Sequence, residues 1–255
     1  MHRVRSSVKR RAKQLLQRLL TPYAARRLRA QLVGPAFPRV GSVRFGDLRR
    51  VTPISREFGF DRGQPIDRYY IERFLATNAP AIRGNVLEVG HSTYTRRYGA
   101  GVTHNDVLHV EAGHPDVTIV ADLTDAGHLP GDTYDAIIFV QTLHLIFDMG
   151  SAVQTLHRML RPGGILLATF PGISNIDPGA WGDQWCWSLT VHSARRLFGE
   201  HFGGEVAVEG HGNVLAAIAF LHGLAAAELQ PRELDVHDPS YDVLITVRAT
   251  KVAEL

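Results

Sequence analysis

From residue 85 onward the chain alternates short apolar runs with longer stretches of helical period. Runs rich in β-branched residues at 85–89, 107–110, 117–120, 136–140, 165–170, 206–208 and 243–247 read as strands, several with no polar face and so buried on both sides. At 152–160 and 193–202 apolar residues recur three and four apart, which predicts helices with one packed side. The segment 65–75 reads the same way: Ile71, Phe74 and Leu75 share a face, and Asp67 stands near the N-terminus, where a carboxylate is favoured. Strands separated by helices require crossover connections. The pattern therefore predicts an α/β fold with a mainly parallel sheet covered by helices on both faces. No internal repeat or low-complexity tract interrupts it.

The stretch before this region is different. Val8, Leu15, Leu16, Leu19 and Leu20 recur at helical spacing among Lys9, Arg10, Arg11, Lys13 and Arg18, predicting a basic amphipathic helix. Thr21-Pro22 ends or bends it, and 23–32 reads as a second basic helical piece. Gly34-Pro35, Phe37-Pro38 and Thr52-Pro53 break any regular period over 33–63, which reads as linker or lid. Residues 1–50 carry fourteen Lys and Arg against one acid, Asp47, while the remainder carries fourteen bases against twenty-four acids. The net charge of +3 thus hides +13 on an appendage and −10 on the main body. We divide the chain accordingly into a basic helical extension with linker, 1–50, and one α/β domain, 51–255. The extension suits packing of its leucines on protein or binding to an anionic membrane surface. Nucleic acid is disfavoured because no stacking aromatics accompany the charge.

Composition sets outer bounds. The chain has 255 residues, 45% of them apolar and 21% charged, enough for one sizeable core. A single cysteine, Cys186, excludes an internal disulfide framework and fits a reducing compartment. No run approaches the about 20 apolar residues of a spanning helix, and no apolar h-region follows the basic start. The expected location is cytoplasmic, with peripheral attachment at the inner membrane surface as a variant. Oligomeric state is not legible.

Candidate chemistry gathers where the strands end. Val86-Leu87-Glu88-Val89-Gly90 is a buried strand stopping at a glycine, whose missing side chain lets a ligand approach the backbone. Downstream stand Val110-Glu111, Ala121-Asp122-Leu123 and Leu160-Arg161-Pro162-Gly163-Gly164. Between them runs 129–172, containing Leu-Pro-Gly-Asp-Thr-Tyr-Asp and then Gln141, Thr142 and His144. In Arg161-Pro162-Gly163-Gly164, proline cannot continue a helical ladder and glycine supplies a positive φ for the turn into the next strand.

In order and spacing these pieces resemble class I S-adenosylmethionine-dependent methyltransferases over 71–170. The resemblance implies a Rossmann-like, seven-stranded, mostly parallel sheet and S-adenosyl-L-methionine as cofactor. It implies that Glu88, Gly90 and Ser92 form the loop after the first strand. Ser92 and Tyr94 stand where the family has further glycines, so their side chains bring bulk toward the methionine portion. Glu111, twenty-three positions after Glu88, is similar to the acid that receives the ribose hydroxyls, with Asp106 as competitor. Asp122 and Leu123 would stand by the adenine, Asp122 alternatively as a turn cap. Gln141 would close the fourth strand, and Arg68 and Tyr69 would hold the methionine carboxylate.

His144 is the candidate catalytic base, since imidazole titrates near neutrality, although methyl transfer from a sulfonium can proceed by orientation alone. Trp181, Trp185 and Trp187 fall between the fifth strand and the following helix, as a substrate lid or a satellite core. Cys186 lacks an activating neighbour, and His104, His109 and His114 lack a metal-ligand pattern, so no metal is expected. The expected function is methyl transfer, most readily to oxygen, on a small-molecule or glycan-like acceptor. Two alternatives are a degenerate methyltransferase fold serving as a scaffold and a dinucleotide-dependent oxidoreductase.

Overall fold

The computed structural model describes residues 38–252 apart from 178, 180, 181 and 204. The helices expected at 8–20 and 23–32, and Trp181, lie outside the described residues. Backbone contacts divide the chain into two units, Met1–Val51 and Thr52–Leu255. Among its described residues the first contains a single 3₁₀ turn, Gly46–Leu48.

The second unit begins its regular structure with helix α1, Ile66–Thr77, and strand β1, Gly84–Val89. Then follow α2, Thr93–Tyr98, β2, Val102–His109, β3, Ile119–Val120, and β4, Tyr134–Val140. Helix α3, Met149–Met159, leads into β5, Leu160–Pro171, and α4, Val191–Phe202, into β6, Val206–His211. Helices α5, Val214–Leu221, and α6, Pro231–Leu234, precede β7, Leu244–Thr250.

These strands form one seven-stranded sheet in the order β3-β2-β1-β4-β5-β7-β6. The pairs from β3 to β5 are parallel, and β7 runs antiparallel to both β5 and β6. This is the Rossmann-like α/β architecture anticipated above. Side-chain alternation explains its two cores. Along β4, Ile137 and Phe139 face one side with α3 and α4, where Leu156, Phe170 and Phe198 pack. Ala136 and Ile138 face the other, with Ile71 and Leu75 of α1 and Phe220 of α5.

The helix stop expected at Arg161-Pro162-Gly163-Gly164 is built into the strand itself. Leu160 pairs with Tyr134 and Ile165 with Ala136, so the four residues bulge out of register while remaining in β5. Gly163 has φ +81°, and a Cβ on Gly164 would come within 2.9 Å of the Tyr134 carbonyl oxygen. Both glycines are therefore required by the backbone.

The order also fixes where a ligand can sit. From β1 the chain crosses to β2 on one side, while β4 begins the series on the other. Beyond the carboxyl ends of β1 and β4, the departing connections leave a crevice.

Candidate functional site

That crevice is a cavity of about 1130 Å³, above the range of about 300–1,000 Å³ usual for single small-molecule sites. Its walls come from the ends of β1, β2 and β4, the start of α1, the turn after β4, the insert after β5, and the segment Arg56, Glu57, Phe58 and Phe60.

Gly90 closes β1 with φ +98°, its N–H donating to the Leu108 carbonyl at 2.9 Å. A Cβ there would meet nothing within 4 Å, so conformation and the open cavity, not packing, demand glycine. Glu88 reaches the cavity wall, but its carboxylate is committed: Oε1 accepts from the Tyr94 N–H at 3.0 Å and Oε2 from the Thr95 N–H at 2.8 Å. It therefore caps α2, a placement favoured by the helix dipole, while burial raises its pKa against those hydrogen bonds. Ser92 is buried outside the cavity, where its hydroxyl donates to Asp116 at 2.9 Å. The role expected for Ser92 against the cofactor is thus corrected to stitching the loop. Tyr94 does line the cavity, its ring stacked on that of Tyr98 with centres 6.4 Å apart.

The ribose acid also needs correction. Glu111 is exposed beyond the end of β2 and is not part of the cavity wall, which His109 and Val110 supply. The Glu111 N–H is received by His109 Nδ1 at 2.9 Å, which turns the chain away after the strand. Asp106 is no substitute: within β2 its carboxylate accepts from the Thr118 hydroxyl at 2.7 Å and the Tyr134 hydroxyl at 2.8 Å. Asp122 and Leu123 line the cavity beside Leu108 and Ala121. One Asp122 oxygen takes the Thr124 N–H and hydroxyl, both at 2.8 Å, so this residue does cap the turn Leu123–Asp125.

At the opposite wall, the first turn of α1 supplies two of the expected or neighbouring residues and withdraws a third. Tyr69 points away, its hydroxyl donating to Asp235 at 2.8 Å, so its assignment to the cofactor is withdrawn. Arg68 lines the cavity, paired with Asp67 at 3.0 Å, its guanidinium 5.7 Å from the Phe60 ring centre. Asp67 is the residue that sequence reasoning missed. It is 8% exposed; Oδ2 accepts from Arg68 and, at 3.2 Å, from the Gln141 amide. Its Oδ1 and the Gln141 Oε1 are both buried with no partner. Burial raises the Asp67 pKa, against the lowering effect of Arg68 and the hydrogen bonds. Gln141 itself holds φ +50°, strain of about 1–3 kcal/mol for a residue with a side chain. Two buried acceptor oxygens without partners thus stand together at this wall, and their chemistry suits a cationic hydrogen-bond donor.

His144 sits in the turn Leu143–Leu145, 4% exposed, its ring 4.4 Å from that of Trp185. Its Nδ1 is buried without a partner, and burial pushes its pKa down to about 4, so the ring is neutral at pH 7. The insert latches over this turn: the Cys186 and Trp187 N–H groups donate to the His144 carbonyl, and Trp187 Nε1 to the Ile146 carbonyl at 3.2 Å. Trp185 thereby faces the cavity, while Trp187 stands outside on Phe147. Among the described residues no group of three or more His, Cys, Asp or Glu is arranged to hold a metal ion.

The structure thus brings Arg68, Glu88, Gly90, Asp122, Leu123, Gln141 and His144 to one cavity and leaves Tyr69, Ser92 and Glu111 outside it. Residues 89–168 match the methyltransferase domain family. Similar solved structures include a chain from the complex of the Haloferax volcanii Trm112 methyltransferase activator with a methyltransferase, at 16% identity and TM-score 0.48, covering 80% of this chain and 100% of that one. A SAM-dependent methyltransferase from Archaeoglobus fulgidus matches at 10% identity and TM-score 0.49, covering 72% and 94%. An S-adenosylmethionine-dependent methyltransferase from Mesorhizobium loti matches at 20% identity and TM-score 0.48, covering 75% and 100%. Comparison with curated protein sequences gives no match.

Proposed function

We propose that the chain, whose residues 89–168 match the methyltransferase domain family, is a class I S-adenosylmethionine-dependent methyltransferase that methylates an oxygen of a small-molecule or glycan-like acceptor in the cavity described above. The observation that carries the cofactor assignment onto these residues is the pair of orphaned acceptors, Asp67 Oδ1 and Gln141 Oε1. S-Adenosylmethionine carries an ammonium group and a sulfonium, and a buried carboxylate beside an amide oxygen suits that charge. At the other end Leu108, Ala121 and Leu123 offer an apolar wall to a purine, with Asp122 and His109 as polar groups at its edge.

When bound, this cofactor supplies a methyl carbon on positively charged sulfur, so attack by an acceptor oxygen depends on position more than on acid–base help. Asp67 and Gln141 fix the cationic end. Phe58, Phe60 and Trp185 present aromatic faces that exclude water and orient an acceptor. His144 is in its base form at pH 7 and receives the hydroxyl proton as the new O–CH3 bond forms, because a proton on an alkylated oxygen is far more acidic than an imidazolium of pKa about 4. His144 would hold that proton only transiently, since a pKa of about 4 favours its passage to water at neutral pH.

The alternative of a scaffold rests on Tyr94, which brings bulk into the cavity where the family has glycine. Calorimetry with S-adenosylmethionine, S-adenosylhomocysteine and nicotinamide dinucleotides separates the readings. Binding of the two adenosyl ligands is expected; binding of neither favours the scaffold, and binding of a dinucleotide alone favours the oxidoreductase. Residues 1–50 form on this reading an appendage that carries no part of the chemistry, and its +13 charge suits association with anionic lipid. Among the described residues no helix is long and apolar enough to cross a membrane.

A further inference from the structure

Four large exposed apolar side chains rim the mouth of the cavity, separate from the exposed apolar residues Val214, Leu215, Ile218 and Leu221 of α5. Phe60 is 59% exposed, Phe147 76%, Ile176 58% and Trp187 36%. They come from separate stretches of chain. Phe60 and Phe147 are themselves part of the cavity wall, Ile176 lies between the wall residues Ser174 and Asp177, and Trp187 stacks on Phe147 with ring centres 5.4 Å apart. The indole is held in this outward position by its Nε1–H, which donates to the carbonyls of Ile146 and Phe147, both at 3.2 Å. The rim is thus built, with the Trp187 indole fixed by hydrogen bonds to backbone carbonyls, and among the described residues its apolar side chains stand exposed. Apolar side chains exposed together at a cavity mouth mark an interaction site.

We infer that the mouth of the cavity is a docking face for an anionic lipid bilayer, with Phe60, Phe147, Ile176 and Trp187 entering the interfacial layer. Aromatic rings favour that layer, and Phe60, Phe147 and Trp187 supply three of them. The lipid is specified as anionic by charge: residues 1–50 carry +13, and the chain runs from their last arginines, Arg49 and Arg50, to the cavity wall at Arg56. Six residues, at most about 20 Å of extended chain, connect Arg50 to Arg56. Neither feature suffices alone, since weak electrostatic attraction and shallow apolar insertion each give reversible binding and together give a stable one. An acceptor would then enter the cavity from the lipid surface; this last step rests on the methyl-transfer reading, whereas the docking itself does not.

The test uses the full chain without cofactor, with Trp181 and Trp185 replaced by Phe so that Trp187 is the sole reporter. Vesicles containing phosphatidylglycerol are compared with pure phosphatidylcholine, each with and without brominated acyl chains. Binding to the anionic vesicles, a blue shift of Trp187 and its quenching by the bromines are expected. In the wild-type background, Phe60→Ser with Phe147→Ser should weaken binding roughly tenfold or more, each ring contributing on the scale of its lost apolar area. Circular dichroism verifies that these exposed substitutions leave the fold intact. Binding without quenching would assign the interaction to the basic segment alone and overturn the inference. So would undiminished binding of the double variant, or a dimer in sedimentation experiments that shields Trp187 from an aqueous quencher and competes with vesicles. Cofactor calorimetry on the same preparation reports on the methyl-transfer reading independently.

Discussion

Asp67→Asn tests the cofactor assignment at the residue on which it rests. The substitution keeps the shape of the side chain and an oxygen for the Gln141 amide, which donates to Oδ2 at 3.2 Å. It removes the negative charge and replaces one oxygen with an N–H donor. A hydrogen bond to a charged group contributes about 1.5–3 kcal/mol, so S-adenosylhomocysteine should bind roughly 10- to 150-fold more weakly at 25 °C. Stability should move the other way or not at all. Burial disfavours the Asp67 anion, and the unpartnered Oδ1 gains nothing from the fold without a ligand. The variant loses only the ion pair with Arg68, whose side chain is 26% exposed and therefore screened. The raised pKa adds a second signature. In the free protein Asp67 holds its proton above the ordinary carboxylate range, and a bound cation favours its release. Cofactor affinity should therefore rise with pH through that range, with proton release in calorimetry run in buffers of different ionisation enthalpy; in Asp67→Asn both effects should vanish. Unchanged affinity in a folded variant would refute the reasoning. Weaker binding accompanied by an equal loss of thermal stability would reduce Asp67 to a structural residue.

Glu111→Ala should leave S-adenosylhomocysteine affinity within about 0.5 kcal/mol of wild type, the usual range for an exposed substitution, and a loss of 1 kcal/mol or more would bring Glu111 back to the site. His144→Asn should remove a pH dependence of stability. Because the His144 pKa is pushed down to about 4, the unfolded chain takes up a proton that the folded one refuses as pH falls from about 6.5, so the wild-type melting temperature should fall across that window more steeply than the variant's. Under saturating substrates the same residue contributes no change in kcat between about pH 6 and 8, and a rate that tracks a group near 6.5 there would contradict the assigned state of His144. Deleting residues 1–32 should leave cofactor affinity unchanged in calorimetry while lowering binding to anionic vesicles; loss of folding would place Leu15, Leu16, Leu19 and Leu20 in a core.

The sheet was legible because most of its strands are buried on both faces, and such strands write continuous apolar runs into the sequence. Where a strand is not so buried, the reading shifted. The first half of β2 is polar, Thr103-His104-Asn105-Asp106, because β3 pairs only with Leu108 and His109 and leaves the rest of that edge uncovered. Reading only the apolar end placed the strand's close at Val110 and made Glu111 a terminal acid. The true close is His109, whose ring takes the Glu111 N–H and turns the chain out of the cavity. Helix α2 left no pattern at all, since its six residues depend on Glu88, a carboxylate fixed by the sheet rather than by local sequence. Asp67 shows the same limit at the site itself. Locally it is an ordinary acid in the first turn of a helix; what sets it apart is that Gln141, seventy-four positions later, is turned to φ +50° and delivers its amide there. The aromatic wall was within reach, because Glu57-Phe58-Gly59-Phe60 places two aromatics in a stretch otherwise made of turn formers, and a linker has no use for them. Sequence periodicity thus locates the crevice, because the crevice follows from strand order. Which polar groups converge in it is decided by contacts across the switch point, and these have no period to read.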